Sequence, residues 1–463
     1  MSEEEKRLSK SNAMYKKMTE TPVPKLVITL GIPTTISMLV TSVYNLADTY
    51  FVSQEGNSAS GAIGVVFGLM AVIQAFGFMY GQGSGVVASK ALGAKNNDRA
   101  DRSDSTGFAL ALITGAVIGI LGLILIDPVM DLLGSTPTIL PYARKYSIFI
   151  LIAAPFMCAS CVLNNILRFE GKAFFSMIGL CTGAGLNIFG DWLLIKVLGM
   201  GVSGAGIATA VSQTISFCLL LVPFLTGRSE GKLRIRSLTF TGSMILDICK
   251  TGLPSLVRQG LASLSTMLLN NCAKPFGDAA VAAMSIVNRV CFFTFATALG
   301  IGQGFQPVCS FNFGAKRFDR VRKAYIFTFI TGEIFLGVVA VIGFFLSGNI
   351  IAGFRNDPEV IMIGTTALAA QFIGQLFQPL TVCSNMLFQS VGDSLKATFI
   401  SICRNGLCFI PVLLISTSIF GLPGVQYSQA VSDMLTFMIA APFGIMYVKK
   451  LKQMESAEKT KTE

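Results

Sequence analysis

Histidine is absent from the 463-residue sequence, and charged residues make up only 13% of it. Because histidine is the side chain whose ordinary pKa lies closest to neutral pH, any proton relay here must use carboxylates with shifted pKa values. Eleven cysteines are scattered through apolar segments, and the CxxC pair of Cys158 and Cys161 lies inside one of them. With no histidine to join them, we interpret the cysteines as small core residues and not as metal or redox ligands.

Hydrophobic residues make up 52% of the chain. A soluble chain of this length would normally form several domains, but this composition predicts one integral membrane unit. A transmembrane helix needs about 20 consecutive apolar residues. Twelve segments meet that requirement, at roughly 26–51, 61–89, 107–126, 141–167, 173–195, 203–226, 246–271, 280–310, 324–346, 360–388, 397–418 and 424–447. We therefore predict an all-α integral membrane protein with twelve transmembrane helices.

The formal net charge is +11, a value that in a soluble protein would suggest nucleic-acid binding. Here the basic residues form short clusters between apolar segments, a pattern typical of cytoplasmic loops. With the N-terminus in the cytoplasm, the inner segments contain 28 of the 36 lysines and arginines. Residues 2–25 are polar and do not resemble a cleaved signal. We expect a monomeric, multi-pass protein of the plasma membrane that contacts lipid, has both termini in the cytoplasm and binds no nucleic acid.

Short motifs recur along the chain at an offset of 221 residues. Gly31-Ile32-Pro33 returns as Gly252-Leu253-Pro254, and Gly81-Gln82-Gly83 returns as Gly302-Gln303-Gly304. Six helices restore the side of the membrane, so the repeat predicts two pseudo-symmetric six-helix lobes in the same orientation, as in alternating-access transporters. The expected divisions are a cytoplasmic segment 1–25, an N-lobe 26–226, a cytoplasmic linker 227–245, a C-lobe 246–448 and a cytoplasmic tail 449–463.

The glycine-rich motifs of this repeat also resemble loops that bind phosphate. They lie inside apolar spans, however, and no strand precedes them. Small residues at such positions allow helices to approach each other closely. We therefore interpret the glycines as helix-packing positions.

Two carboxylates lie in spans of the first half of the repeat and have no equivalent in the second. Asp48 is near the end of the first span and Asp191 is in the fifth, whereas the equivalent positions are Leu269 and Val412. An ionisable residue inside a membrane is costly, so each acid is a candidate functional residue. Asn187 precedes Asp191 by four residues, so the two side chains share one helical face.

Helix geometry predicts that these side chains lie at similar depth. At a rise of about 1.5 Å per residue, Asp48 lies about 33 Å along the first span and Asp191 about 27 Å along the fifth, both from the cytoplasmic start. Thr209 lies about 9 Å into the sixth span, which starts from the outside. We predict one site in the outer half of the membrane, formed by Asp48, Asn187, Asp191 and Thr209.

Three interpretations of this site remain open. Two carboxylates in a dry cavity repel each other and titrate as a pair, so protons can drive a cycle. The same oxygens also suit Na⁺ as a coupling ion, because hard cations prefer oxygen ligands. In the third interpretation, Asn187 and Asp191 only form hydrogen bonds between helices. No other cofactor is implied.

The second half has five ionisable residues inside its spans. These are Arg258, Arg289, Glu333, Arg404 and Asp433. We expect them to pair across helices as a structural polar network, with direct contact to a substrate as the alternative.

The motifs of this chain resemble those of the multidrug and toxic compound extrusion (MATE) family over essentially the whole length, and within it the MepA-like pumps of Gram-positive bacteria. The resemblance rests on Gly31-Ile32-Pro33, Asn45-Leu46-Ala47-Asp48-Thr49, Asn187-Ile188-Phe189-Gly190-Asp191, Gln306-Pro307, Asn312-Phe313-Gly314-Ala315-Lys316, and Arg404 with Pro411. It implies a secondary active exporter, not an enzyme, that moves cationic or amphipathic small molecules in exchange for H⁺ or Na⁺. By position, Asp48, Asn187, Asp191 and Thr209 match the family's cation-binding cluster, and Pro33 matches a first-span proline at which that helix is proposed to bend.

Two features depart from the family pattern. Trp192 stands where many relatives have proline after the aspartate, which affects the local helix. Residues 264–271 of the seventh span contain no acid, which counts against a second cation site in the C-lobe. The nearest alternative function is a flippase for lipid-linked precursors, which would need a strongly basic cavity that the acidic first half does not supply. A membrane-embedded transferase would need a catalytic cluster in a large loop, and the loops here are short.

Overall fold

The computed structural model describes residues 3–462, and this range is helical with no β-strand. The α-helices are, in chain order, α1 (Glu3–Glu20), α2 (Val23–Ser53), α3 (Asn57–Gly93), α4 (Asn97–Ile124), α5 (Ile126–Leu132), α6 (Leu140–Phe169), α7 (Ala173–Asp191), α8 (Gly201–Leu225), α9 (Gly242–Ala273), α10 (Asp278–Gly314), α11 (Phe318–Phe354), α12 (Pro358–Gln375), α13 (Gln378–Val391), α14 (Ser394–Ile402), α15 (Phe409–Phe420) and α16 (Leu422–Thr462). Two π-helices, Trp192–Val197 and Cys403–Leu407, continue α7 and join α14 to α15.

The predicted all-α membrane fold is confirmed. Within the described range, ten helical segments are long and apolar enough to cross a membrane, and α12 with α13 forms an eleventh span that bends by 49°. The predicted seventh span is also helical, as α9, but it is not among the segments that are apolar enough. Its sequence explains this difference, because Arg258 and Gln259 lie at its centre among serine and threonine residues.

The chain packs as two compact units, and the division passes through two helices. The first unit contains residues 1–21 and 32–256, and the second contains 22–31 and 257–463. The helix α2 is therefore divided one residue before Pro33, and α9 is divided two residues after Pro254. These prolines are equivalent in the repeat, and each lacks the N–H group that would close a helical hydrogen bond.

Glycines permit close backbone contacts in each unit. In the first unit, a Cβ atom on Gly83 would lie 2.1 Å from the carbonyl oxygen of Ile248. In the second unit, a Cβ atom on Gly304 would lie 2.3 Å from the Cα atom of Gly31. Gly83 and Gly304 are equivalent in the repeat, and both lie at helix contacts, as the packing interpretation of these motifs requires.

Backbone conformation repeats together with the sequence. Lys95 and Lys316, which are 221 residues apart, have φ angles of 59° and 58°. Such left-handed conformations are unusual for residues with a side chain. A side-chain contact repeats in the same way. Asn164 donates to the Ser176 hydroxyl at 2.7 Å, and its equivalent Asn385 donates to the Ala397 carbonyl, at the position equivalent to Ser176, at 2.6 Å.

The segment before α9 is anchored to the first unit by buried acids. The Glu170 carboxylate accepts hydrogen bonds from the Ser229 hydroxyl and from the amides of Glu230 and Gly231 at 2.7–2.9 Å. Burial raises the pKa of Glu170, while the nearby Lys172 ammonium and these donors act to lower it. The Glu170 carboxylate thus fixes the segment between α8 and α9, which has little regular secondary structure.

Candidate functional site

The hydroxyl of Tyr146 connects two of the predicted site residues in the first unit. Tyr146 lies on α6, where it donates to Asp48 Oδ2 at 2.9 Å and lies 3.3 Å from the Thr209 hydroxyl. Asp48 lies on α2 and Thr209 on α8, and all three side chains are buried. Three helices thus bring a carboxylate, a phenol and a hydroxyl into one hydrogen-bonded group.

The helix α7 supplies the remaining members of the cluster. Asn187 donates from its amide nitrogen to the Thr209 hydroxyl at 3.0 Å. Asp191 follows one turn later on the same face, is fully buried and lies near enough to Asp48 for the two carboxylates to repel each other when both are charged. All four residues that the sequence analysis placed in one site therefore lie in one buried group.

Several oxygens of this group have no hydrogen-bond donor. They are Asp48 Oδ1, Asn187 Oδ1 and both carboxylate oxygens of Asp191. Within the described residues, neither carboxylate forms an ion pair with a lysine or arginine. A buried, unpaired carboxylate is unfavourable unless it takes up a proton or coordinates a cation. This donor set can therefore hold a proton, a hard cation such as Na⁺, or the cationic group of a ligand.

Helix geometry changes immediately beyond Asp191. The α-helix ends at Asp191, and a π-helix runs over Trp192–Val197. Insertions of this kind widen a helical turn and are frequent at functional sites. Trp192, which departs from the family pattern, is the first residue of this segment.

Sequence reasoning missed Tyr146, although depth would have indicated it. Tyr146 lies five residues after the start of the fourth predicted span, a distance of about 8 Å along a helix. Thr209 lies at nearly the same depth in the sixth span, and both spans were assigned to the outer side at that end. Tyrosine carries less cost in a membrane than a charged residue, which is why a search for charges passed over it.

The proline at position 33 lies inside α2, which is helical on both sides of it. Proline cannot donate to the carbonyl of the fourth preceding residue, Thr29, so the helix lacks one internal hydrogen bond there. The division of the chain into two units falls next to this point, between Gly31 and Ile32.

The five polar residues of the second half do not form one network. Arg404 donates from Nε to Asp433 at 3.2 Å, and Gln378 donates to the other carboxylate oxygen of Asp433 at 2.9 Å. Arg258 is a neighbour of Arg404 but bonds instead to the Asn385 side chain at 3.3 Å. Arg289 and Glu333 form no ion pair within the described residues, and Arg289 is exposed.

Comparison with known proteins shows which family profile the chain matches. The MatE family profile matches residues 33–193 and 254–415, so its two copies begin at the equivalent prolines Pro33 and Pro254. The chain is 25% identical over 422 residues to the multidrug export protein MepA of Staphylococcus haemolyticus, covering 91% of this chain and 93% of that protein. It is 27% identical over 425 residues to MepA of Staphylococcus aureus strain MSSA476, with the same coverage of 91% and 93%.

A solved structure shares the architecture. It is the outward-facing conformation of a multidrug resistance MATE family transporter of the MOP superfamily. The similarity has a TM-score of 0.89 at 25% sequence identity and covers 94% of this chain and 98% of that one. The likeness therefore extends over nearly the whole of both chains.

Proposed function

The chain belongs to the MatE family, and from this membership we propose that it is a secondary active exporter of cationic or amphipathic small molecules. The name of its relatives, multidrug export protein, supports export as the direction of transport. Antiport of H⁺ or Na⁺ would supply the energy. One elementary charge moving across 100 mV provides about 2.3 kcal/mol, equivalent to a substrate gradient of roughly 50-fold.

One observation carries this proposal. Asp48 and Asp191 are buried near each other, and three of their four carboxylate oxygens have no donor. A purely structural acid would have its oxygens satisfied by neighbouring donors. Acids that must bind and release a cation in each cycle need oxygens that are free in at least one state.

The residues of the site would have separate roles. Tyr146 holds one oxygen of Asp48 through its hydroxyl, which leaves Oδ1 to face the bound ion. Asn187 is fixed through its nitrogen on Thr209, which leaves its oxygen as a neutral ligand. Asp191 supplies the second negative charge. Coupling follows because the loaded ion and a cationic substrate compete for the same negative charge, so that binding of one releases the other.

Alternating access between the two lobes would expose this site to each side of the membrane in turn. In this proposal both termini are cytoplasmic, the protein is a monomer of the plasma membrane, and Pro33 provides a weak point at which α2 bends. A flippase for lipid-linked precursors is less well supported, because the buried site of the first unit has two acids and, among the residues that the structure describes, no lysine or arginine pairs with them.

Transport in inside-out membrane vesicles tests the proposal. The measurement is accumulation of a fluorescent cationic drug under an imposed ΔpH or ΔNa⁺, for wild type, Asp48→Asn and Asp191→Asn. We expect one gradient to drive uptake by wild type and neither gradient to drive it in the two variants. Asp131→Asn, at an exposed acid, is the control and should transport as wild type does. Equal transport by all four proteins under both gradients would exclude the proposed coupling.

A further inference from the structure

The second unit contains a cavity whose charge is opposite to that of the cation site. It is a small, partly open pocket between α9, α10, α13, α14 and the π-helix Cys403–Leu407. Two arginines line it, Arg258 from α9 and Arg404 from the π-helix, together with Phe295, Asn385 and Asn405. No carboxylate is among its lining residues.

The positive charge of this cavity is only half compensated. Asp433 pairs with Arg404 through Nε and accepts further hydrogen bonds from Gln378 and Gln429, so each of its oxygens has a donor. Arg258 has a single hydrogen-bond partner within the described residues, the neutral side chain of Asn385. A guanidinium has five N–H donors, so most donors of Arg258 have no protein acceptor there.

The side chain of Asn385 is oriented so that its amide oxygen accepts a hydrogen bond from Arg258. Its amide nitrogen donates to the Ala397 carbonyl at 2.6 Å and to the Ser401 hydroxyl at 2.8 Å. The amide oxygen must then face the arginine, which it contacts at 3.3 Å. The contact orients the guanidinium but leaves its charge in place.

Arg404 is also presented in a fixed orientation. Its guanidinium lies over the ring of Phe295, with 4.1 Å between the guanidinium carbon and the ring centroid. Stacking of this kind holds the planar fork so that its remaining donors point in one direction. Arg258 and Arg404 both line this cavity, and arginine is the side chain that binds carboxylates and phosphates through paired N–H donors.

The repeat indicates that this feature is specific to the second half. The positions equivalent to Arg258 and Arg404 in the first half are Ser37 and Gly183. Asn164 and Asn385, by contrast, are shared by both halves and make equivalent hydrogen bonds. Arg258 has only a neutral partner within the described residues, and a basic residue inside a membrane protein that no acid compensates is costly, which points to a ligand.

We propose that the cavity between Arg258 and Arg404 binds an oxoanion group, either the carboxylate of an amphipathic small molecule or the phosphate of an anionic lipid headgroup. Binding follows from the charge and donors of the cavity alone. Its consequence for transport, that amphiphiles bearing a carboxylate are among the exported compounds, rests on the proposed export function.

A matched pair of probes tests the binding site without a gradient or a coupling ion. The full chain is placed in phosphatidylcholine nanodiscs and titrated with 11-(dansylamino)undecanoic acid and with its methyl ester, using dansyl fluorescence. We expect wild type to bind the acid about tenfold more tightly than the ester, the effect of one charge-assisted hydrogen bond. Arg258→Gln should bind the acid as weakly as the ester, and Arg289→Gln, at an exposed arginine, should retain the tenfold preference.

A second pair of variants keeps Arg258 and so covers the case in which Arg258→Gln does not fold. Leu299 lines the cavity. Leu299→Glu introduces a carboxylate that can pair with Arg258, and we expect this variant to lose its preference for the acid. Leu299→Gln introduces a neutral side chain of the same shape as glutamate, and we expect it to keep that preference. Equal binding of acid and ester by wild type, or an undiminished preference in both Arg258→Gln and Leu299→Glu, would overturn the proposal.

Nanodiscs that contain phosphatidylglycerol distinguish the two sources of the oxoanion. If a lipid headgroup occupies the cavity, phosphatidylglycerol will weaken acid binding by wild type and will have no effect on Arg258→Gln. If the site selects a free carboxylate, acid binding by wild type will be the same in both lipids and will still depend on Arg258. Because no transport is measured, loss of the export function in the vesicle experiment would leave these results unchanged.

Discussion

Tyr146 on α6 donates its hydroxyl to Asp48 Oδ2 on α2 at 2.9 Å, and the other oxygen of Asp48 has no donor. One oxygen of this carboxylate is therefore held in place by a hydrogen bond, and the other is not. An aspartate that only snorkelled to the membrane surface would have both oxygens in water. The contact therefore ties the acid of the first span to a defined buried position, beside the hydroxyl of Thr209.

Removal of this hydroxyl should weaken coupling without unfolding the protein. Tyr146→Phe keeps the ring in its buried position but removes the hydrogen-bond donor of Asp48, while Thr209 retains its contact with Asn187. A lost hydrogen bond to a charged group costs about 1.5–3 kcal/mol, so we expect gradient-driven export to fall by about tenfold or more. The measurement is the initial rate of drug uptake into inside-out vesicles. Tyr142→Phe, at a tyrosine with 39% exposure, should stay within about twofold of wild type; similar loss in both variants would count against the assigned role.

Neutralisation of Asp191 should abolish export without lowering the thermal stability of the protein. Both oxygens of Asp191 are buried without donors, and Asp48 is a nearby like charge. Asp191→Asn removes that repulsion, so we expect the thermal stability of the purified protein to equal or exceed that of wild type by about 1 kcal/mol, while export is lost. The measurement is thermal unfolding in detergent followed by intrinsic fluorescence. A marked decrease in melting temperature would show that Asp191 is a structural residue.

The close contact at Gly304 predicts a steric effect of one added methyl group. In Gly304→Ala the new Cβ would meet the backbone of Gly31, which cannot rotate away as a side chain can. We expect a loss of about 1–3 kcal/mol in stability, or a lower yield of folded protein. Gly337→Ala on α11 is the matched control, because nothing lies within 4 Å of its Cβ position, and it should be neutral or gain up to about 1 kcal/mol. Equal melting temperatures for the two variants would refute the contact.

The anchored segment between the two halves should resist proteolysis. Glu170 holds the amides of Glu230 and Gly231, and trypsin can cleave nearby after Arg228 or Lys232. We expect Glu170→Ala to increase the rate of tryptic cleavage by roughly tenfold or more, because the buried amides lose their acceptor at about 1–3 kcal/mol. Peptide mass analysis of a digestion time course measures the rate. Glu20→Ala, which removes an exposed acid, should leave it unchanged.

Much of the fold could be predicted from the sequence because the membrane constrains it strongly. The lengths of the apolar segments were enough to locate the helices. The offset of 221 residues identified equivalent pairs such as Gly83 and Gly304, and in the structure both of these glycines lie at close contacts between helices. The polarity of α9 is the exception. Its arginine lies beside a cavity, and a count of apolar residues cannot distinguish a polar helix that faces a cavity from one that faces water.

Four of the five residues of the cation site could be predicted from the sequence, but the charge pairing in the second half could not. Depth along a straight helix brought Asp48, Asn187, Asp191 and Thr209 together, because charge and spacing are visible in sequence. Tyr146 was missed because a tyrosine in a membrane is unremarkable until its hydroxyl is seen to have partners. In the second half the sequence counted charges but could not show which were paired, so it did not reveal that Asp433 compensates Arg404 and leaves Arg258 without an acid.

The central claim is that Asp48 and Asp191 bind either the substrate or the coupling ion, but not both at once. Competition between substrate and coupling ion is the most direct test of this claim. The measurement is the affinity of the purified protein for a cationic fluorescent drug as a function of pH and of Na⁺ concentration. We predict that affinity in wild type falls as one of the two ions is raised, and that Asp48→Asn and Asp191→Asn no longer respond to it. If both variants keep the wild-type dependence on H⁺ and on Na⁺, the coupling ion is bound elsewhere and the central claim is wrong.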